Sequence, residues 1–172
     1  MVDYPKAVSI VRQGAWSGAA DHVALDYEAR FLRRKRLVAA SGTGFMVDLA
    51  EVTNLTDGDA FRLEDGRHIE IRAAPEPVLV VAGDLPRLAW HIGNRHTPCQ
   101  IEPDRLVIRF DHVLEAMLRK LGATLSRAEE PFSPEGGAYG LGRTMGHHHG
   151  PDAERGHAHA HAHPHPHAHT HG

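Results

Sequence analysis

Between residues 78 and 127 the hydrophobic period changes repeatedly, and the order of the changes leaves few folds open. Val78-Leu79-Val80-Val81-Ala82 is a continuous apolar run, the pattern of a strand covered on both faces. Asp84 then offers a helix cap, and Pro86 is tolerated in a first turn. Leu85, Leu88, Ala89 and Ile92 fall at i, i+3, i+4 and i+7, one helical face. Gly93-Asn94 predicts a stop or bend. Pro98 to Ile101 and Leu106 to Phe110 read as short strands around Glu102-Pro103-Asp104-Arg105. Asp111 caps a second helix whose stripe is Val113, Leu114, Met117, Leu118 and Leu121. Arg119 and Lys120 suit its last turn, and Gly122 ends it. Ala123 to Arg127 can close the set as a strand. The order β-α-β-β-α-β is that of a ferredoxin-like domain, in which two helices cover one face of a four-stranded sheet. The other face needs cover from a partner or from the rest of the chain.

Upstream the pattern is all-β. His22 to Tyr27 alternates, with Val23, Leu25 and Tyr27 on one face. Leu37-Val38-Ala39-Ala40 and Phe45-Met46-Val47-Asp48-Leu49 flank Ser41-Gly42-Thr43-Gly44, a hairpin signature. Residues 60–64 and 67–72 flank Asp65-Gly66, a dipeptide suited to a type I′ turn. Ala73-Ala74-Pro75-Glu76-Pro77 is a proline-bearing connection and the expected boundary. From Glu129 the chain turns polar and rich in Gly and Pro, and after Gly146 it has no large apolar residue, too little to offset the entropy of ordering. The expected class is α+β. A β-rich domain over residues 1–74 precedes a ferredoxin-like domain over 75–130 and a disordered His-rich tail over 131–172.

Net charge is −3 with histidine neutral, which gives no electrostatic case for nucleic acid or an anionic membrane. Cys99 is the only cysteine, so no intrachain disulfide forms. Residues 1–16 lack the layout of a signal peptide. No apolar run reaches the roughly 18 residues of a spanning helix. The expectation is a soluble cytoplasmic protein.

The last residues hold 11 of the 16 histidines. His147, His148 and His149 are contiguous. His157, His159, His161, His163, His165, His167, His169 and His171 alternate with small spacers, mostly Ala and Pro. His-rich tracts are metal-binding compositions. Imidazole suits Ni, Cu and Zn, and intrinsic affinity favours Cu over Ni, so the tail argues for a metal and hardly for nickel. The alternation differs from a plain oligohistidine purification tag. A storage or buffering tail without a delivery role remains open. A flexible connection from Glu130 to His147 spans roughly 20–25 Å, and a body of about 130 residues has a radius of gyration near 14 Å. The tail can therefore fold back onto a site on the body.

Among the remaining histidines, His96 stands in Trp90-His91-Ile92-Gly93-Asn94-Arg95-His96-Thr97-Pro98, between a helix and a proline, where a turn should expose it. A lone turn histidine is most often a surface or hydrogen-bonding residue. One histidine holds an ion poorly, but a twofold axis through the site would pair His96 with its copy. His112 opens the second helix, where the dipole disfavours imidazolium and keeps the ring able to coordinate; a plain surface position is the equal alternative. His91 lies off the apolar stripe. His22 and His68 read as outward strand positions. Cys99 is better placed as a small buried residue than as a thiolate ligand. No His-x-x-Glu-His or other hydrolytic constellation lies near His96, which argues against a metal-dependent hydrolase. Binding should weaken below about pH 6.5, as protons compete for imidazole.

The segment Gly93-Asn94-Arg95-His96 resembles the urease accessory protein E (UreE) family, the urease nickel metallochaperones. Arg72-Ala73-Ala74-Pro75-Glu76-Pro77-Val78-Leu79, Asp111-His112-Val113-Leu114-Glu115-Ala116-Met117-Leu118, Pro134-Glu135-Gly136-Gly137-Ala138-Tyr139-Gly140 and the basic cluster Arg33-Arg34-Lys35-Arg36 are similar to the family pattern too. The resemblance implies a β N-terminal domain that contacts urease-activation partners, a ferredoxin-like metal-binding domain, and a homodimer with His96 at its interface. It implies Ni(II) delivery for urease active-site assembly, with Zn(II) or Cu(II) able to substitute. The implied partners are the urease apoprotein and accessory proteins including a GTPase; this chain has no G-x-x-x-x-G-K-[ST] loop of its own. His112 matches a peripheral metal-binding histidine of some members, whereas Asp111 stands where some place another. Gly93, Asn94 and Arg95 are implied motif support. An enzyme is not implied. The alternative function is general Ni, Zn or Cu storage.

Overall fold

The computed structural model describes residues 4–137. Of the expected tail, residues 138–172, with all of its histidines and their expected disorder, lie outside the described residues.

The first six strands are β1 (Lys6–Val11), β2 (Ala19–Leu25), β3 (Phe31–Val38), β4 (Gly44–Asn54), β5 (Ala60–Leu63) and β6 (His68–Ala73). They form one mixed sheet in the order β2-β6-β5-β1-β4-β3. β1 lies inside it, antiparallel to β5 and parallel to β4. The alternation seen in sequence sets the faces. Val23 and Leu25 of β2, Phe45, Val47 and Leu49 of β4, and Ile69 and Ile71 of β6 are buried in one cluster. Phe45 and Phe61 meet edge to face at its centre, with ring centroids 5.5 Å apart.

The β5–β6 turn differs from the type I′ turn expected at Asp65-Gly66. Gly66 N–H donates to the Leu63 carbonyl, and Leu63 N–H to that of Arg67. Only Gly66 of this loop has positive φ, +87°. The loop is therefore three residues, a type I turn closed by a left-handed glycine. The β3–β4 loop repeats it: Gly42 N–H donates to Ala39, Ala39 N–H to Thr43, and Gly42 has φ +88°. A dipeptide names the glycine correctly but not the loop length, which the cross-strand register sets.

The second unit comprises β7 (Pro75–Ala82), α1 (Leu85–Gly93), β8 (Gln100–Ile101), β9 (Leu106–Arg109), α2 (His112–Lys120) and β10 (Thr124–Pro131). Its sheet order is β10-β7-β9-β8, antiparallel throughout. This is the expected α+β arrangement, a β-rich unit followed by a β-α-β-β-α-β unit. The apolar pattern starts the first strand at Val78, but β7 begins at Pro75, leaving Ala74 as the whole connection. β9 pairs with β7 only from Val78 onward, whereas β10 runs beside β7 along its full length. Pro77 accepts from Phe110 N–H on the β9 side. The prolines therefore turn their nitrogens toward the side where β9 ends, a position a strand tolerates. β8 is shorter than the expected 98–101, and β10 is longer than the expected 123–127.

Leu79, Val81, Leu88, Ile92, Leu106, Ile108, Leu114 and Leu118 form the core beneath the helices. Val113, assigned to the stripe of α2 by period, is 51 % exposed. Glu115 is buried instead, held by Arg119 and Arg127, each 2.8 Å away. These two guanidiniums, Arg119 first, hold its carboxyl below the usual range.

The opposite sheet face is covered from within the chain. Val78 and Val107 pack against Tyr27 from the first unit and Phe132 from beyond β10. Tyr27 and Phe132 meet edge to face at 5.4 Å. Glu76, also buried, accepts from Tyr27 N–H at 2.7 Å and pairs with Arg109 at 3.1 Å. Arg30 donates to the Phe132 carbonyl. The connection expected to be flexible from Glu130 is thus held well past it. Residues 132–137 form a strap that leaves the β10 edge and crosses to the β8 edge. There Ser133 N–H donates to the Gln100 side chain (2.8 Å) and Glu135 N–H to the Cys99 carbonyl (2.9 Å).

Candidate metal-binding turn

α1 begins as its sequence dictates, with the Asp84 side chain accepting from Arg87 N–H and Pro86 in the first turn. Its end is unusual. Gly93 and Asn94 do not reverse the chain; Asn94 is still in the right-handed region, with φ −63°. The reversal is made by His96, whose φ of +55° is the only positive value among the described non-glycine residues. His96 N–H donates to the Gly93 carbonyl at 2.9 Å and Thr97 N–H to that of Ile92 at 3.4 Å. Those two bonds are a Schellman closure with His96 as its left-handed residue. α2 ends in the same motif with Gly122, φ +84°, in that role. Pro98 follows and prevents continuation of the helix. A left-handed L-residue costs about 1–2 kcal/mol, although histidine is among the types that adopt it more readily. The result is an exposed imidazole on a backbone held at both sides.

Gly93, Asn94 and Arg95 are exposed beside it. His112 is the first residue of α2 and exposed. Asp111 is its cap, accepting from Val113 N–H (2.8 Å) and Leu114 N–H (2.9 Å) through one oxygen. Because β7 and β9 are antiparallel and each leads into a helix, α1 and α2 are antiparallel. Arg87, early in α1, reaches the Leu121 carbonyl just past α2. His96 and His112 therefore sit at the same end of the helical layer. That layer exposes Trp90 (64 %) as well as Val113.

The other described histidines are engaged elsewhere. His91 packs edge-on against Trp90 at 5.0 Å, His68 lies against Trp16 at 5.7 Å, and His22 approaches the Asp21 carboxylate at 4.0 Å. Cys99 is half-buried, and burial, followed by the Glu135 charge, pushes its thiol up to about 11. It is a thiol, not a thiolate, near neutral pH. Among the described residues no three His, Cys, Asp or Glu side chains group closely enough to hold an ion. The expected tail ligands His147, His148, His149, His157, His159, His161, His163, His165, His167, His169 and His171 lie outside the described residues.

Beside the turn, α1, the β8 edge, the first unit and the strap enclose a cleft of about 320 Å³. Its lining includes Tyr27, Arg30, Leu55, Thr97, Cys99 and Ser133. The sequence reading missed this contribution of the strap. A signal was present, however, in Phe132, a large apolar residue between Pro131 and Pro134 in an otherwise polar stretch.

Comparison with known proteins supplies the kinship. The family model described as UreE urease accessory protein, N-terminal domain, matches residues 7–74, and its C-terminal counterpart matches residues 69–171. A protein named urease accessory protein UreE from Rhodobacter capsulatus is 74 % identical over 146 residues, covering 85 % of this chain and 94 % of that one. Those of the same name from Cereibacter sphaeroides and Ruegeria pomeroyi are 63 % and 60 % identical. The alignments cover 88 % and 86 % of this chain, and 84 % and 100 % of theirs. These are accessory proteins rather than enzymes. With both family models matched in order along one chain and identities this high, the chain belongs to the UreE urease accessory protein family.

Proposed function

We propose that this chain binds Ni(II) and hands it over during assembly of the urease active site. Membership of the UreE family supports a role in urease maturation; the observation that carries the metal reading is His96. An exposed imidazole held in a left-handed conformation, where α2 uses glycine, is a costly choice for a turn and a useful one for a ligand. One imidazole is not a site, so the remaining ligands come from outside the described residues of a single copy. A second copy supplies its own His96 across a twofold axis, for which exposed Trp90 and Val113 on the helical layer provide apolar surface. The tail supplies exchangeable imidazoles at residues 147–149 and 157–171. His112 is a peripheral ligand at the same end, and Gly93, Asn94 and Arg95 shape the turn. Zn(II) and Cu(II) compete for the same donors.

On this reading residues 1–74 face the urease apoprotein and its accessory proteins, a GTPase among them. Residues 75–130 carry the metal and the dimer contact, and residues 131–172 are the tail. The protein works in the cytoplasm; among the described residues no helix is long and apolar enough to cross a membrane.

The test is a nickel titration by calorimetry near pH 7.5, on a chain stopped at Gly146, with and without His96→Ala. The expected result is about one Ni per dimer, abolished by the substitution. If truncation alone removes all tight binding, the shared His96 site is lost and the protein is a His-rich store.

A further inference from the structure

The four consecutive cations Arg33-Arg34-Lys35-Arg36 play no part in the metal reading. They occupy β3, the last strand of the six-stranded sheet, which among the described residues pairs with β4 alone. The register decides which backbone groups are left over. Ala39 N–H donates to the Thr43 carbonyl at 2.9 Å, and Leu37 and Lys35 continue that row opposite Phe45 and Val47. In an antiparallel pair, alternate residues turn both backbone groups to the neighbour. Lys35, Leu37 and Ala39 therefore bond toward β4, and Arg34, Arg36 and Val38 direct N–H and C=O the other way. Ala40 shows that direction, because its N–H reaches away from β4 to the His22 carbonyl at 2.8 Å. Between Leu32 and Arg34 the ladder is interrupted. The regular free edge is thus residues 34–38, about 17 Å long.

This edge is charged with one sign. Residues 33–36 are all exposed. Asp48, 2.8 Å from Arg34, is the one carboxylate that pairs with any of the four among the described residues. Arg36 lies over the Tyr4 ring at 4.4 Å, and Arg33 donates to the Leu49 carbonyl. Arg34 and Arg36 share one sheet face, and Val38, 54 % exposed, extends it. A charge on an edge strand guards it against pairing with its own kind. Four cations in a row also select, since they repel a second basic β3 and attract an acidic chain.

We propose that the free edge of β3 takes up an extended acidic segment of a partner protein as an added strand, with carboxylates at alternate positions against Arg34 and Arg36. Backbone hydrogen bonds to Arg34, Arg36 and Val38 supply the affinity of such an arrangement, and the alternating side chains supply its selectivity. Like-charge repulsion makes a second copy the poorer occupant. The net charge of −3 gives long polyanions no attraction to the molecule as a whole. The proposal gives a surface and a chemistry to the partner contact assigned above to residues 1–74, and it rests on that reading for the partner's role in urease maturation.

The test uses the full metal-free chain and a short fluorescein-labelled peptide of alternating Glu and Thr, followed by fluorescence anisotropy. It is compared with the same peptide carrying Lys for Glu, and with one whose glutamates are N-methylated, which keeps the charge but removes the N–H donors. The protein is compared with Arg34→Gln/Arg36→Gln. The expected result is saturable binding of the Glu-Thr peptide, at least about fivefold weaker for the double variant and for the N-methylated peptide, and none of the Lys peptide. Residue-resolved amide exchange on the parent should slow most at Arg34, Arg36 and Val38 when the Glu-Thr peptide is added, with α2 unchanged. No binding up to about 1 mM peptide overturns the proposal. Equal affinity for the N-methylated peptide also overturns it, since a plain polyanion site needs no added strand. So does equal affinity in the double variant, or protection centred away from β3. The probe carries no metal and the variant lies outside the metal-bearing unit. Failure here therefore leaves the nickel reading standing, and leaves residues 1–74 to meet partners elsewhere; loss of nickel binding leaves the strand edge standing.

Discussion

At His96 the backbone and the proposed chemistry pull in opposite directions. As the left-handed residue of a helix closure it destabilises the turn relative to glycine, and on the proposed reading its exposed imidazole is the metal ligand of the turn. Replacing it with glycine should therefore raise folding stability by about 1 kcal/mol, read by chemical denaturation, while removing the imidazole. His96→Ala removes the imidazole without relieving the strain. If the two substitutions shift stability equally, the left-handed backbone carries no cost there. At Cys99 the raised pKa, about 11, predicts slow alkylation at pH 7.5. It also predicts that Cys99→Ala leaves nickel affinity unchanged; a fall in affinity would make the sulfur a ligand. The sequence located both residues but not their conformations. Positive φ at a histidine has no signature in composition or period, and Gly93-Asn94 two residues earlier offered the more conventional stop.

At the scale of elements, local pattern was a reliable guide wherever the neighbours were local. Both helices, both N-caps and the order of elements along the second unit follow from period and capping residues alone. The misses were at positions governed by distant partners. Val113 has the spacing of a core residue but faces out. Glu115 has the chemistry of a surface residue but is buried, because Arg127, on β10, and Arg119 converge on it. Pro75 and Pro77 looked like a linker and lie in a strand because only one neighbour accompanies them. Glu115 gives a prediction with a sign. Its folded pKa is lowered by the two arginines, so its contribution is complete above the unfolded carboxyl value, about 4.3. The contribution is lost as pH falls through the folded value. Glu115→Gln should lower the melting temperature at pH 7, and the gap to the parent should narrow below about pH 4.3. A gap that stays constant down to acid pH would show that shape, not charge, sets its role.

Across the whole molecule, the two units share a seam that neither would form alone. Tyr27, Phe132, Val78 and Val107 make one small cluster, ringed by Glu76, Arg109 and Arg30. Phe132 is fully buried there. Phe132→Ala should cost about 3–5 kcal/mol and speed amide exchange on the strap and near Tyr27 before it affects the core of the six-stranded sheet. Uniform loss of protection would mean that the seam and the cores unfold as one. The strap's route was the least legible feature in sequence, because its contacts join residues about 30 to 100 positions apart and its composition resembles a linker. Yet its course has a plain geometric consequence. The chain leaves the second sheet at the β10 edge and is carried back by the strap to the β8 edge, where Glu135 is tied to Cys99. The last described residues therefore lie beside Gly93 and Thr97 rather than across the sheet from them. Whatever follows Gly137 in sequence sets out from the doorstep of the His96 turn.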